Sequence, residues 1–286
     1  MKLTIVTATY NAIDSGNREA LIRCIESIER LPVDHEHLVY DGASADGTVE
    51  LLRECATRVP SLRVVSEDDT GIYNALNKGV RDASGEWFYV LGCDDCILNG
   101  KNMIRALEIG DKAKADVVVT PVFISPADDR IRAVYRGLEF CCTYPHQGML
   151  MRTELIRSLG GFDERYRLSA DYDLTLRALQ LAARVVFAQE AFAYFSCTGA
   201  SSCQSVTEDY ARIRCARLGL SSGEERLLAR CRLLPWRVTL RYLVHRSPQL
   251  RKAARYHCLR SIMRTLGFMT SEGAMRWNMT RTKGDE

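Results

Sequence analysis

From Leu3 to Leu91 the hydrophobic residues alternate between two periods, and no other feature limits the fold of this chain so tightly. Residues 3–8, 37–40, 62–65 and 87–91 are short apolar runs of strand length. Between them Leu21, Ile22, Ile25 and Ile28 recur at helical spacing, and residues 49–56 and 72–80 repeat the pattern. Strand, helix and strand in this rhythm predict an α/β fold with a Rossmann-like, mostly parallel sheet. Ligands of such sheets bind beyond the carboxyl ends of the strands, so chemistry is expected in the loops after residues 8, 41, 66 and 91.

The next hundred residues are less regular. Strands are expected at 117–124 and 131–135 around a turn at 125–129, another turn at 160–163 and a helix at 172–183. From about residue 206 the chain turns helical and arginine-rich, with Ser247-Pro248 as a helix start, Gly267 as a stop and Pro235 as an interruption. Two or three short helices are expected there. Charge divides at the same place: residues 1–209 net −9, residues 210–286 net +12. The expected organisation is an α/β domain over residues 1–205 and a helical, basic region over 206–286.

With 286 residues, 47% of them hydrophobic, the chain can bury a large core, which excludes a disordered tail or a disulfide-stapled mini-domain. Eleven cysteines at irregular spacing read as reduced thiols, and the first residues lack a signal-peptide pattern. No run reaches the roughly 20 apolar residues that cross a bilayer. The expected location is cytoplasmic.

All four strand-end loops carry hydroxyls or carboxylates: Thr9, then Asp41 to Thr48, then Glu67-Asp68-Asp69, then Asp94-Asp95. Acids crowded on one sheet edge repel one another unless a cation or a donor-rich ligand joins them. A divalent metal is the economical explanation, with Asp94-Asp95 to hold it; alone, such a pair more often makes a turn. Cys93 and Cys96 flank the pair, without two further ligands that would make a zinc site.

Thr9-Tyr10-Asn11, the run Asp41-Gly42-Ala43-Ser44-Ala45-Asp46-Gly47-Thr48, the run from Asp69-Thr70-Gly71-Ile72-Tyr73-Asn74 to Lys78-Gly79, then Gly92-Cys93-Asp94-Asp95, and finally Gly160-Gly161-Phe162-Asp163-Glu164 with Asp171-Tyr172-Asp173 follow one another in a known order. The chain resembles the family 2 glycosyltransferases of the GT-A fold over roughly residues 1–200. The resemblance implies an inverting, metal-dependent transfer of sugar from a nucleotide-diphosphate donor, uridine-linked, to a glycan or lipid-linked acceptor in surface glycan synthesis.

By that resemblance Thr9 and Asp41 meet the nucleoside, Asp69 and Lys78 line the donor pocket, and Asp94 contacts ribose or a metal-bound water. Asp95 is the implied ligand of Mn2+ or Mg2+, with Cys93 standing where a strict D-x-D motif has its first acid. Asp171 matches the general base, although Asp at a helix start also serves as a cap. His146 and Asp173 are placed on the acceptor side; a hydrogen-bonded loop histidine and a first-turn charge are the plainer readings of these two. For Lys78, a phosphate contact, a partner for the acidic loops and a solvated helix lysine remain open.

In the tail, Leu250, Ala254, Cys258, Ile262 and Leu266 recur every four residues among arginines. Residues 226–266 therefore form either a helix packed on the domain or an interfacial element drawn to an anionic membrane, peripheral on its inner face. Charge alone speaks for nucleic acid, which is not expected as a partner. Two rivals share the fold: a sugar nucleotidylyltransferase, expected to carry a Gly-rich basic loop after the first strand, and a non-catalytic carbohydrate- or lipid-binding adaptor.

Overall fold

The computed structural model describes residues 2–124, 132–134, 144–196, 205–231 and 234–265. Strands β1 (Leu3–Thr9), β2 (His35–Asp41), β3 (Leu62–Ser66) and β4 (Trp87–Val90) alternate with helices α1 (Arg18–Glu29), α2 (Thr48–Ala56) and α3 (Ile72–Asp82), within two residues of the expected limits. β1 pairs parallel with β2 and β4, and β2 with β3. Their carboxyl ends therefore lie on one edge, and Thr9, Asp41 and Ser66 come into register there.

After β4 the chain makes β5 (Cys96–Ile97), α4 (Gly100–Lys112), β6 (Val117–Val119), β7 (Val122–Ile124), β8 (Arg132–Val134), β9 (Met149–Arg152), α5 (Thr153–Ser158), α6 (Ala170–Gln180), β10 (Val185–Phe187) and β11 (Ala193–Phe195). The main sheet has seven strands in the order β10-β6-β9-β4-β1-β2-β3, with β9 antiparallel between β4 and β6. The single strand expected over 117–124 is two: after Thr120-Pro121, where proline offers no N–H to a ladder, β7 enters a second sheet ordered β5-β11-β7-β8. The turn expected at 125–129 lies outside the described residues.

Helix α6 starts two residues before the expected position, with Ser169 at its cap. That places Asp171 inside the first turn, so its carboxylate is not the cap. The described residues of the helical region form four helices instead of two or three: α7 (Ser205–Leu218), α8 (Ser222–Cys231), α9 (Trp236–Leu243) and α10 (Pro248–Thr265). Gly219, at φ +66°, supplies the additional break after α7, as glycine does at helix ends. Gly267 lies outside the described residues.

One hydrophobic core runs from Val6 and Phe88 of the sheet through Leu174 of α6 to Ile213, Leu228, Val238, Leu250 and Ala254 of the four helices. Leu250, Ala253, Ala254 and His257 of α10 are buried. The apolar side of α10 is thus covered by protein as far as it is described, which is the first of the two alternatives, a helix packed on the domain.

Charge joins the same two regions. Asp173, wholly buried, accepts from Arg177 Nε of its own helix at 2.6 Å and from Arg217 Nε of α7 at 2.5 Å. Arg217 also reaches Asp163 Oδ2 at 3.1 Å, while Arg177 donates to the carbonyls of Leu159 and Gly161. Removing one member of a buried, hydrogen-bonded ion pair strands its partners. Asp173→Ala is expected to lower unfolding stability by about 3 kcal/mol, read as a reduced urea midpoint at unchanged slope. An unchanged midpoint would show that the helical region is not fastened here.

Candidate active site

The ends of β1 and β2 are cross-linked before any ligand arrives. Asp41, 1% exposed, accepts from Thr9 Oγ1 (3.0 Å) and Ser44 Oγ (2.5 Å) on one oxygen, and from Ser44 N (2.9 Å) and Ser66 Oγ (2.9 Å) on the other. Asn11 and Ala43 adopt left-handed backbone, at φ 45° and 58°. The pair of loops is tied across by Asn11 N to Ser44 Oγ and Ala45 N to Asn11 Oδ1. Such non-glycine conformations persist only where their surroundings hold them.

Above this floor opens a cavity of about 530 Å3 lined by Ala8, Thr9, Tyr10, Gly42, Asp68, Asp69, Gly71 and Ile72. Asp69 Oδ1 accepts from Gly71 N at 2.8 Å and turns the chain into α3. Lys78 is neither solvated nor aimed at open space: its Nζ sits 2.9 Å from both Glu67 Oε1 and the Asp68 carbonyl, bracing the acidic loop.

Asp94 and Asp95 follow β4 in a turn closed by Asp95 N to Gly92 O. β5 leaves directly after them and pairs with β11, Cys96 opposite Tyr194, which delivers Ser196 to the two acids. Ser196 N donates to Asp95 Oδ1 at 2.9 Å and Ser196 Oγ to Asp94 Oδ2 at 2.5 Å. Gln147 Nε2 donates to Asp95 Oδ2 at 2.8 Å and is itself placed by Tyr89, whose hydroxyl binds the Gln147 carbonyl. Asp95 is 2% exposed, and burial pushes its carboxyl above the usual range against the opposing pull of His146 and Ser196.

Two oxygens of this pair converge. A methyl group built on Gly92 would stand 3.0 Å from Asp94 Oδ1 and 2.7 Å from Asp95 Oδ2, so glycine leaves open a space that both acids border. Among the described residues no third His, Cys, Asp or Glu completes a metal cluster. Two carboxylates fit Mg2+ or Mn2+, which keep waters and take substrate phosphate oxygens for the remaining positions. Cys93 does not compete: burial beside Asp94 pushes its thiol up to about 12.

Neighbouring residues meet the two acids, Gln147 at Asp95 and His146 at Asp171. The one-turn helix His146–Gly148 precedes β9, and its histidine contributes to the field at both acids. His146 Nδ1 is 3.8 Å from Asp171 Oδ2, and Tyr73 of α3 donates to Asp171 Oδ1 at 3.2 Å. Asp171, His146 and Tyr73 bring ionisable groups to the lining of a cavity of about 60 Å3, otherwise formed by residues such as Phe88, Met149 and Phe162. Ile72 borders this cavity and the larger one alike, so the two are neighbours. Burial raises the Asp171 carboxyl above its ordinary range, moderated by His146, the Tyr172 N–H and Tyr73.

The turn before α6 is docked onto α3. Glu164 accepts from Asn77 Nδ2 at 2.8 Å and Asn74 Nδ2 at 3.0 Å, while Asn77 also exchanges hydrogen bonds with the Phe162 backbone. Gly161, at φ +76°, carries no side chain that would strike Asn77 Oδ1. Asp173, expected on the acceptor side, points away from the cavity into the arginine cluster described above, with both oxygens engaged and no exposed surface. Sequence reasoning did not single out Gln147, Ser196 or Tyr73 for these contacts; only Tyr73, inside the quoted Ile72-Tyr73-Asn74 run, carried a signal.

The model of glycosyl transferase family 2 matches residues 4–164, more than half of the chain. The chain belongs to this family. A PGL/p-HBAD biosynthesis glycosyltransferase of Mycobacterium tuberculosis is 30% identical over 167 residues, 57% of this chain and 65% of the relative, so the match spans less than two thirds of that relative's length. The uncharacterized glycosyltransferase YwdF of Bacillus subtilis is 26% identical over 188 residues, 62% of this chain and 68% of the relative. Among solved structures, Staphylococcus aureus TarS 1–349 in complex with UDP-GlcNAc superposes with TM-score 0.63 at 16% identity, covering 93% of this chain and 92% of that one. The mannosyltransferase PcManGT of Pyrobaculum calidifontis, in complex with GDP-Man and Mn2+, gives 0.59 at 15%, covering 93% and 79%. These likenesses establish the family 2 fold; Asp171 lies beyond the matched segment.

The environment of Asp171 is open to direct measurement. Its carboxyl is expected to titrate above the usual aspartate range by carbon-detected NMR, and Tyr73→Phe, which deletes a donor favouring the ionised form, is expected to move it further up. An ordinary aspartate titration, or a downward move in the variant, would contradict the described surroundings.

Proposed function

We propose that this family 2 chain transfers a sugar from a nucleoside-diphosphate donor to a hydroxyl of a glycan or lipid-linked acceptor, with inversion at the anomeric carbon. The observation that carries the reading is that adjacent residues reach the two acids, Gln147 at 2.8 Å from Asp95 and His146 at 3.8 Å from Asp171, next to a cavity that borders through Ile72 the one lined by Thr9 and Asp69. The UDP, UDP-GlcNAc and GDP-Man complexes of TarS and PcManGT support a nucleotide-sugar donor, for which a uridine-linked sugar is our choice.

In this reading Thr9 and Asp41 form the nucleoside end, Asp41 chiefly as the acid that fixes Thr9 and the 41–45 loop. Asp69 lines the wall and Lys78 braces it. Asp94 and Asp95 hold Mn2+ or Mg2+, whose positive charge, when bound, offsets the charge of the departing diphosphate. Gln147 and Ser196 keep the two carboxylates aimed while leaving other lone pairs for that task. Asp171 takes the proton of the acceptor hydroxyl, and its raised pKa brings it nearer to the working pH of a general base. Tyr73 orients it. In the same reading His146, 3.8 Å from Asp171, contacts the acceptor or the diphosphate.

The test is a panel of nucleotide sugars with Mn2+ or Mg2+, scored for nucleoside diphosphate release with and without a lipid-linked acceptor. Asp171→Asn is expected to bind donor normally and to lose about 10^2- to 10^4-fold in turnover. Asp95→Ala is expected to lose metal-supported donor binding and turnover together. Normal turnover in Asp171→Asn would assign the base elsewhere, and metal-independent binding in both proteins would remove the assignment of Asp95.

A further inference from the structure

Helix α9 is apolar on two opposite sides. Val238, Thr239 and Tyr242 are buried, and Tyr242 is further tied to α6 by Gln180 Nε2 at 2.7 Å from its hydroxyl. On the other side Trp236, Leu240 and Val244, spaced four residues apart and therefore stacked on one face, are 52%, 58% and 83% exposed. A helix that needs only one apolar side to join a core has a second one left over, and large exposed apolar faces mark interaction sites.

The charges around that face select its occupant. Arg237 and Arg241 follow Trp236 and Leu240 on the adjoining side of the helix, and Arg246 stands beyond its end; all three are exposed, with Arg237 also paired to Glu224 of α8. α10, packed along α9, adds exposed Lys252, Arg255, Tyr256 and Leu259. From Arg226 to Ser271 the sequence contains eleven lysines and arginines and not one aspartate or glutamate. A second copy of this chain meeting it through the same face would bring like charges together across the contact. An anionic bilayer satisfies both features, because its head groups meet the arginines while its acyl boundary takes the tryptophan and the aliphatic side chains.

We propose that the outward face of α9, Trp236-Leu240-Val244 with its collar of arginines, docks the protein in the plane of an anionic lipid surface. The site differs from the one that periodicity suggested: the stripe of α10 beginning at Leu250 and Ala254 is spent on the core, and the shorter helix before it presents the free apolar edge. A chain held in this way would meet an acceptor carried on lipid without a membrane-spanning helix, and no described helix is long and apolar enough to be one.

Sedimentation of the full chain with vesicles tests the proposal. Wild type is expected to bind vesicles made of equal parts phosphatidylglycerol and phosphatidylcholine, and to remain in the supernatant with phosphatidylcholine alone. The double variant Leu240→Ser, Val244→Ser changes exposed side chains only and is expected to partition about tenfold less, with unchanged circular dichroism and unchanged donor turnover in the absence of lipid. Arg241→Glu with Arg246→Glu is expected to do the same, and Leu98→Ser, an exposed leucine elsewhere, to bind as wild type. Absence of vesicle binding by wild type overturns the proposal. So does undiminished binding by the Leu240, Val244 variant, which would leave only a diffuse basic attraction. A lipid-free dimer that this variant converts to monomer would assign the face to a second copy instead.

Discussion

Holding one buried carboxylate, Asp95, and one half-buried carboxylate, Asp171, in the field of a single histidine is the constraint around which this molecule is built. Asp95 and Asp171 come from different halves of the chain, and burial works against the ionised form of each. Each is tolerated through a small set of donors: Gln147 and Ser196 for Asp95, Tyr73 and the first-turn N–H of α6 for Asp171. The placement of those donors accounts for much of the irregular second half. β9 runs antiparallel in an otherwise mostly parallel neighbourhood and delivers His146-Gln147, while the small second sheet brings Ser196 beside the acids.

The larger cavity is built differently. Asp41 is saturated by Thr9, Ser44 and Ser66, so the floor of that cavity is stitched by hydroxyls, with left-handed Asn11 and Ala43 held in place by cross-loop bonds. Asp69 and the braced Glu67–Asp68 segment form a wall that Lys78 anchors to α3. One end of the cleft therefore depends on a preformed hydroxyl network and the other on a few bonds to buried acids. The first should resist solvent and salt, and the second should respond to pH.

The first four strands and three helices were legible because hydrophobic period is a local property, and in this region local pattern and global fold agree. Thr9, Asp41, Asp69, Asp94, Asp95 and Asp171 were legible as motif positions. The partners that orient them were not. Gln147 and Ser196 are ordinary polar residues whose importance arises from β9 and β11 being placed beside β4 and β5, and a strand of three or four residues carries too little period to announce its pairing. Asp173 shows the opposite failure: a carboxylate two positions from Asp171 shares its helix but not its direction, and the arginine that claims it comes from α7, far along the sequence. Helix α10 showed a genuine stripe, yet periodicity cannot say whether protein or lipid covers it.

Arg217 ties α7 at once to the turn that docks on α3, through Asp163, and to the helix that carries Asp171, through Asp173. The appended helices are thus a fastener for the acid that faces the small cavity. In a chimera that keeps this sheet and borrows its last helices from a relative, the graft would have to bring along an arginine at that position. Without one, the residues lining the small cavity would lose their backing although none of them had been exchanged.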